Sequence, residues 1–349
     1  MPSLTPVHVR DLDKTYPRGA HAVAGISFDV AHGEFFGLLG PNGAGKSTTL
    51  KILATLLKKT SGTVLVAGHD VDRDPAAVRR GIGFAMQDVG LDDLAFGSDF
   101  LTLQGILYGL HRNEAKRRAA ELLDLVGLTD VASRKVATYS GGMRRRIDLV
   151  SALIHRPALL FLDEPTTGLD PQSRLAIWQY LEKLNAGGTT IVLTTQIMEE
   201  ADRLCRRLAI IDHGKIAAEG SPRTLKSQIG GDTVAITLDA PLGDSARDGQ
   251  EQAIAARAVA LLTQRPYVTA ASADAGRLAI VVRDLRGAVP DLLRCLQDNG
   301  IPVRELAVST PTLDDVFLKV TGHQIRPSDT SGSDADAVMR QSMGLGKRS

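Results

Sequence analysis

The chain has 349 residues, a length that suggests roughly two domains, and its 43% apolar and 23% charged residues are ordinary for a globular protein. Its 41 basic and 40 acidic side chains leave a formal charge of +1, so no dominant electrostatic pull toward nucleic acid or anionic lipid is expected. Cys205 and Cys295 lie far apart without CxxC or Cys/His metal spacing, and they read as reduced, buried thiols of a cytosolic protein. Residues 1–12 carry no apolar core of the signal-peptide kind. No window approaches the ~18–20 apolar residues needed to span a bilayer, so this chain is not expected to cross a membrane by itself.

From residue 5 to 222, apolar strand-like runs alternate with helical patterns. The runs at 34–39, 159–162, 190–193 and 208–211 predict a parallel sheet with crossover helices, an α/β class. After the first of them come Gly40, Pro41, Asn42, Gly43, Ala44, Gly45, Lys46 and Ser47, which satisfy GxxxxGK[ST], and then a helical pattern over 47–57. In that context the glycines let backbone N–H groups turn toward phosphate oxygens. Lys46 supplies a point charge to the β- and γ-phosphates, and the Ser47 hydroxyl suits Mg²⁺. The helix N-terminus adds its partial positive charge, and Thr48 is counted with the nucleotide-binding residues.

Helical insertions are predicted over 99–127 and 141–154, within a subdomain of about 88–156. Ser140 caps the second of them, and Gly141 and Gly142 expose its first N–H groups, which makes an outward anion site. The run at 159–162 ends in Asp163 and Glu164. At a strand end beside a nucleotide, Asp163 falls near Mg²⁺ and Glu164 beside the γ-phosphate, placed to polarise the attacking water.

A second unit is predicted over 231–322, with strands at 234–238, 267–271, 278–282 and 301–308 and helices at 251–262 and 285–298. The order βαββαβ predicts a small ferredoxin-like α+β module. Residues 323–349 are Ser, Asp, Gly and Arg with few large apolar side chains, and they are expected to be a disordered tail.

The stretch 139–144, Tyr-Ser-Gly-Gly-Met-Arg, resembles the LSGGQ signature of the ABC (ATP-binding cassette) ATPases, with Met in the last place. The resemblance covers about 7–221 and implies ATP and Mg²⁺ as ligands, a two-fold dimer with a second copy, and hydrolysis of ATP. By that resemblance Ser140, Gly141 and Gly142 bind the γ-phosphate held by the opposite subunit. It also implies that Tyr16 stacks on adenine and that Gln87 senses Mg²⁺ and joins the two lobes. Gly168, Leu169 and Asp170 match the loop that crosses the dimer interface. Where the family has a switch histidine, this chain has Gln196, which can donate a hydrogen bond but cannot titrate near neutral pH.

The stretches 100–110, 139–146 and 311–318 are similar to the daunorubicin-resistance (DrrA-like) branch of exporter ATPases. That branch implies a separate integral membrane permease as partner, a peripheral position on the cytoplasmic face, drug-like or hydrophobic cargo, and no nucleic acid. An importer ATPase and a non-transport soluble ABC ATPase remain the alternatives. Leu313, Val316 and Phe317 read equally as docking residues of the C-terminal module or as a link to the second cassette. Leu91, Leu94, Phe96, Phe100 and Leu101 are expected to divide between the lobe's own core and an exposed apolar groove beside Gln87.

Overall fold

The computed structural model describes residues 5–322 apart from 18, 87–89, 240–247, 275–276 and 284. In chain order it opens with β1 (Val7–Thr15), β2 (His21–Val30), β3 (Phe35–Leu39), α1 (Lys46–Leu53), β4 (Ser61–Val66), β5 (His69–Asp70), α2 (Pro75–Gly81) and β6 (Ile82–Ala85). Three helices follow: α3 (Gly97–Leu107), α4 (Arg112–Leu125) and α5 (Gly141–Ser151). Then come β7 (Leu159–Asp163), α6 (Pro171–Ala186), β8 (Thr190–Thr195), α7 (Met198–Leu204), β9 (Arg207–Asp212), β10 (Lys215–Gly220) and α8 (Pro222–Ile229). The remaining elements are β11 (Asp232–Leu238), α9 (Asp248–Thr263), β12 (Val268–Asp274), β13 (Arg277–Val282), α10 (Leu285–Asp298), β14 (Val303–Ser309) and α11 (Leu313–Thr321). The tail expected over 323–349 lies outside the described residues.

Two sheets share the first core. The larger runs β10-β9-β3-β8-β7-β6, parallel except for β10 at one edge. Its strands β3, β7 and β8 are buried along their whole length, which is why they read as unbroken apolar runs rather than alternating ones. The smaller sheet, β2-β1-β4-β5, is antiparallel and alternates in burial. The two meet through an apolar layer in which the Phe28 and Phe36 rings stack at 5.3 Å. On the other side of the large sheet, α3, α4 and α5 join α6 and α7 in a second apolar cluster that includes Leu101, Leu122, Ile147, Trp178 and Leu193.

The helical pattern over 47–57 ends earlier than expected. α1 stops at Leu53, and Thr55 takes a left-handed φ of 62°. Thr55 N donates to Ile52 O and Leu56 N to Lys51 O, the paired bonds that close a helix and turn the chain toward β4. Leu56 is left outside, 53% exposed.

The last sheet runs β12-β13-β11-β14 with every pair antiparallel, the order that a βαββαβ chain gives in a ferredoxin-like module. Helices α9 and α10 cover one face and enclose a core of its own, from Val234 to Ile301. α11 leaves this module and returns to the first unit. Leu313, Val316 and Phe317 are buried in the first unit's helical-side cluster, against α7, α8 and β10. A reciprocal cap starts the helix: Asp315 N donates to Thr312 Oγ1 at 3.2 Å and Thr312 N to Asp315 Oδ2 at 2.9 Å. Lys319 Nζ donates to Ile229 O at 3.3 Å, one of the last carbonyls of α8.

Candidate functional site

The carboxyl ends of β3, β7 and β8 meet at one edge of the large sheet, the place where open α/β sheets bind ligands. After β3 the chain folds tightly before α1. Gly43 and Gly45 have φ of 81° and 106°, and a Cβ at Gly45 would stand 2.3 Å from Ala22 O. The loop therefore tolerates no side chain at Gly45. Asn42 and Gly43 are exposed, Pro41 half-buried and Ala44 buried beneath them. Lys46 is the first residue of α1 and only 4% exposed. Its Nζ donates to Gly40 O at 2.8 Å and Pro41 O at 3.0 Å and lies 3.3 Å from Glu164 Oε1. Burial pulls its pKa below the usual lysine value, with the charges of Glu164 and Asp163 opposing.

Asp163 closes β7. Its Oδ1 accepts from Ser47 Oγ at 2.8 Å and from Thr194 Oγ1 at 2.6 Å. Its Oδ2 is buried and has no hydrogen-bond partner among the described residues, a free carboxylate oxygen next to a serine hydroxyl. Oxygen donors of this kind suit a hard cation held between protein and phosphate. Glu164 comes next and turns sharply, with φ of 46°. Its N–H is held by Thr194, at 3.1 Å to both the carbonyl oxygen and Oγ1, and Thr167 Oγ1 donates to its Oε2 at 3.2 Å.

The other expected residues take their places around this cluster. Tyr16 is half-buried rather than a core residue, with its hydroxyl 3.4 Å from Thr48 Oγ1. Gln196 follows β8 directly and makes no hydrogen bond to another described side chain. Ser140 caps α5 by accepting from Met143 N at 3.3 Å, and Ser140 and Gly141 are exposed. Among the described residues no hydrogen bond joins Ser140, Gly141 or Gly142 to the Lys46–Glu164 cluster of the same chain, so this helix start faces outward. Asp170 caps α6, accepting from Ser173 N at 2.9 Å. Gln87 lies outside the described residues.

Three side chains that sequence reasoning passed over support the cluster. Thr194 orders both acids. Glu200, fully buried, accepts from Thr166 Oγ1 at 2.7 Å and Trp178 Nε1 at 2.9 Å. Arg145, 5% exposed, reaches under the acid loop. Only Arg145 left a trace in the sequence: on α5 it shares a face with Asp148 and Leu149, three and four residues on.

A groove of about 830 Å³ opens between the helical insertion and the sheet side. Leu107 and Tyr108 wall it on one side, with Leu56, Phe84, Arg79 and Arg80 on the other. Tyr108 stacks on His155 at 3.8 Å, and the His155 ring in turn bonds Ile82 O at 3.0 Å, which joins the two walls. Leu107 is 71% exposed. Of the five apolar residues expected to divide between the lobe's core and a groove, Phe100 and Leu101 are buried and Leu91 packs partly on the core. Leu94 and Phe96 are exposed but do not line it.

The loop before α1, with Lys46 at the helix start and Glu164 beside it, brings backbone amides, a buried ammonium and a carboxylate together at the end of the sheet. The fold and site are those of a P-loop nucleotide hydrolase. The family model for ABC transporters matches residues 23–167, and that for the C-terminal domain of DrrA1-3-like ATP-binding proteins matches 220–321. The daunorubicin resistance ATP-binding protein DrrA2 of Streptomyces coeruleorubidus is 41% identical, over 94% of this chain and 98% of its own. The doxorubicin resistance ATP-binding protein DrrA of Mycobacterium tuberculosis is 42% identical over 90% and 93%, and the linearmycin resistance protein LnrL of Bacillus subtilis 38% over 87% and 94%. Among solved structures, an ATP-binding subunit of an ABC transporter is 31% identical, with a TM-score of 0.60, over 64% of this chain and 93% of its own. The dimeric cassette MJ0796, bound to ADP and Pi, is 29% identical with a TM-score of 0.58, over 62% and 98%. The chain belongs to the ATP-binding subunits of ABC transporters, in the DrrA-like exporter branch, and ATP hydrolysis is its activity.

Proposed function

We propose that the chain powers efflux of a drug-like or other hydrophobic compound through a separate integral membrane permease. It would work as a two-fold dimer, peripheral to the cytoplasmic face. The similarity to drug-resistance relatives over nearly the whole of both chains, C-terminal module included, carries this reading. In the site, the amides of 42–48 and Lys46 would hold the β- and γ-phosphates, with Tyr16 against adenine. Ser47 and the free Oδ2 of Asp163 would hold Mg²⁺, which supplies charge neutralisation between the phosphates, and Gln87 would complete that set. Ser140, Gly141 and Gly142 of the second copy would close over the γ-phosphate.

The ion pair between Lys46 and Glu164 gives this scheme a trigger. An arriving γ-phosphate competes for Lys46 and repels Glu164, which frees the carboxylate to take a proton from water. Gln196 would donate its amide N–H to the same phosphate. The groove between the walls of Leu107 and Leu56 would receive a short segment of the permease. Its apolar walls ask for an apolar face. Arg79 and Arg80 have no carboxylate partner among the described residues and ask for an acidic side chain.

Glu164→Gln tests the chemistry. ATP binding should persist and turnover should fall by roughly 10²–10⁴, with the ATP-bound dimer accumulating on a sizing column. Undiminished turnover would remove Glu164 from the role. Purification from membranes, with identification of the membrane protein that comes along, tests the partner.

A further inference from the structure

Glu164 sits in a backbone conformation that side chains other than glycine rarely adopt, and something must hold it there. The main chain around it is bound from below by one guanidinium. Arg145 Nε donates to Pro165 O at 2.8 Å, and its Nη2 donates to Asp163 O at 2.9 Å and Glu164 O at 3.1 Å. Its Nη1 donates to Met86 O and lies 3.4 Å from Asp148 Oδ2. Three consecutive carbonyls of the acid loop and the carbonyl just before Gln87 thus converge on one buried side chain. A planar fork with five N–H groups can satisfy such a set, and a point-like ammonium cannot. Arg145 also stands five residues into α5, about 7–8 Å along the axis from the Ser140 cap. The helix that would face the partner copy's nucleotide is therefore pinned directly to the loop that carries Glu164.

We propose that Arg145 is a positioning residue for ATP hydrolysis, a clamp that holds residues 163–165 in the turned conformation that aims Glu164 at the γ-phosphate and ties that loop to α5. The inference rests on Glu164 being the proton acceptor, as proposed above. It differs from a plain structural role in which Arg145 only neutralises the buried Asp148. A lysine would serve that plain role and would not serve the clamp.

The test uses variants of the full-length chain. Arg145→Lys should lower kcat by about 10- to 100-fold, the size of loss that misplacement of a reacting group brings, with KM and the ATP dissociation constant held within about twofold. Asp148→Asn removes the ion pair but leaves the carbonyl bonds, and kcat should stay within about threefold of the parent chain. In ligand-free protein, Arg145→Lys should speed amide exchange at Glu164, Thr166 and Thr167 while β3 and β8 stay protected. In a Glu164→Gln background, adding Arg145→Lys should cost little further, because both changes disable the same group. Full activity and unchanged exchange in Arg145→Lys would overturn the clamp, as would equal losses in Arg145→Lys and Asp148→Asn. If Arg145→Lys unfolds the chain, Arg145→Gln with the same exchange measurement decides. Full activity in Glu164→Gln alone would instead remove the reading on which the clamp rests, so the two failures are distinguishable.

Discussion

Gln196 follows β8 directly, one residue past Thr195 and two past Thr194, whose hydroxyl bonds Asp163. If its amide bonds the γ-phosphate, Gln196→Ala should lower kcat by about tenfold or more, the cost of losing a hydrogen bond to a charged group. Gln196→His should hydrolyse at least as fast and gain a pH dependence near the imidazole pKa. A wild-type rate in the alanine variant would show that the position contributes nothing. Asp148 gives a second prediction at this scale. Burial pushes its carboxyl up from 3.8 to about 6, with the Arg145 charge opposing. The folded chain therefore holds this proton more tightly than the unfolded chain. Between those values it carries more protons, and this group's contribution to stability falls as pH rises. Above about pH 6 the loss is complete, on the order of 3 kcal/mol. Asp148→Asn lacks the group, so urea unfolding should find it gaining on the parent chain from pH 4.5 to 7. A constant difference across that range would refute the assignment. The turn at Gly43 and Gly45 and the helix start at Lys46 were legible because they follow a short local pattern. Thr194 and Glu200 were not, and Arg145 showed only its helix face, because their partners are brought close only by the folded sheet.

Elements whose burial follows one rule were equally legible. β3, β7, β8 and β9 read as apolar runs because a parallel sheet buries both faces. The end of α1 was not, since a left-handed Thr55 has no signature in composition. α11 is the instructive case. Leu313, Val316 and Phe317 at helical spacing mark an apolar face, but spacing does not say which surface receives it. The structure seats that face on the first unit, between α7, α8 and β10. A helix belonging in sequence to the C-terminal module thereby pins the module in place. Phe317 is 1% exposed, and Phe317→Ala should weaken this docking by about 3–5 kcal/mol. Thermal unfolding should then split into two transitions, and a protease should cut between α8 and β11 first. A single transition at the parent temperature would show that α11 does not hold the module.

At the scale of the molecule, no helix among the described residues is long and apolar enough to cross a membrane, so under the proposed function ATP chemistry at one edge of the sheet would have to reach a separate membrane-spanning partner. The groove between Leu107 and Leu56 is the surface proposed to receive that partner. Its two walls belong to different parts of the fold, α3 on one side and the α1 turn with α2 on the other. β6 ends beneath it, and the Met86 carbonyl just beyond is held by Arg145, which also holds the acid loop. A shift of the acid loop on ATP binding thus has a short mechanical path to the groove. Leu107 and Leu56 are 71% and 53% exposed, so charged substitution should leave folding intact. Leu107→Asp combined with Leu56→Asp should abolish recovery in the membrane fraction and transport, while the ATP dissociation constant of the purified chain stays within about twofold. Arg79→Glu with Arg80→Glu should weaken membrane recovery as well, and that loss should grow if the permease segment is acidic, because two attractions become two repulsions. Raising the salt should weaken the parent complex and partly relieve the repulsion in the glutamate variant, since rim charges are screened over about 8–10 Å. Membrane recovery that survives both pairs of substitutions would show that the permease docks elsewhere on the chain.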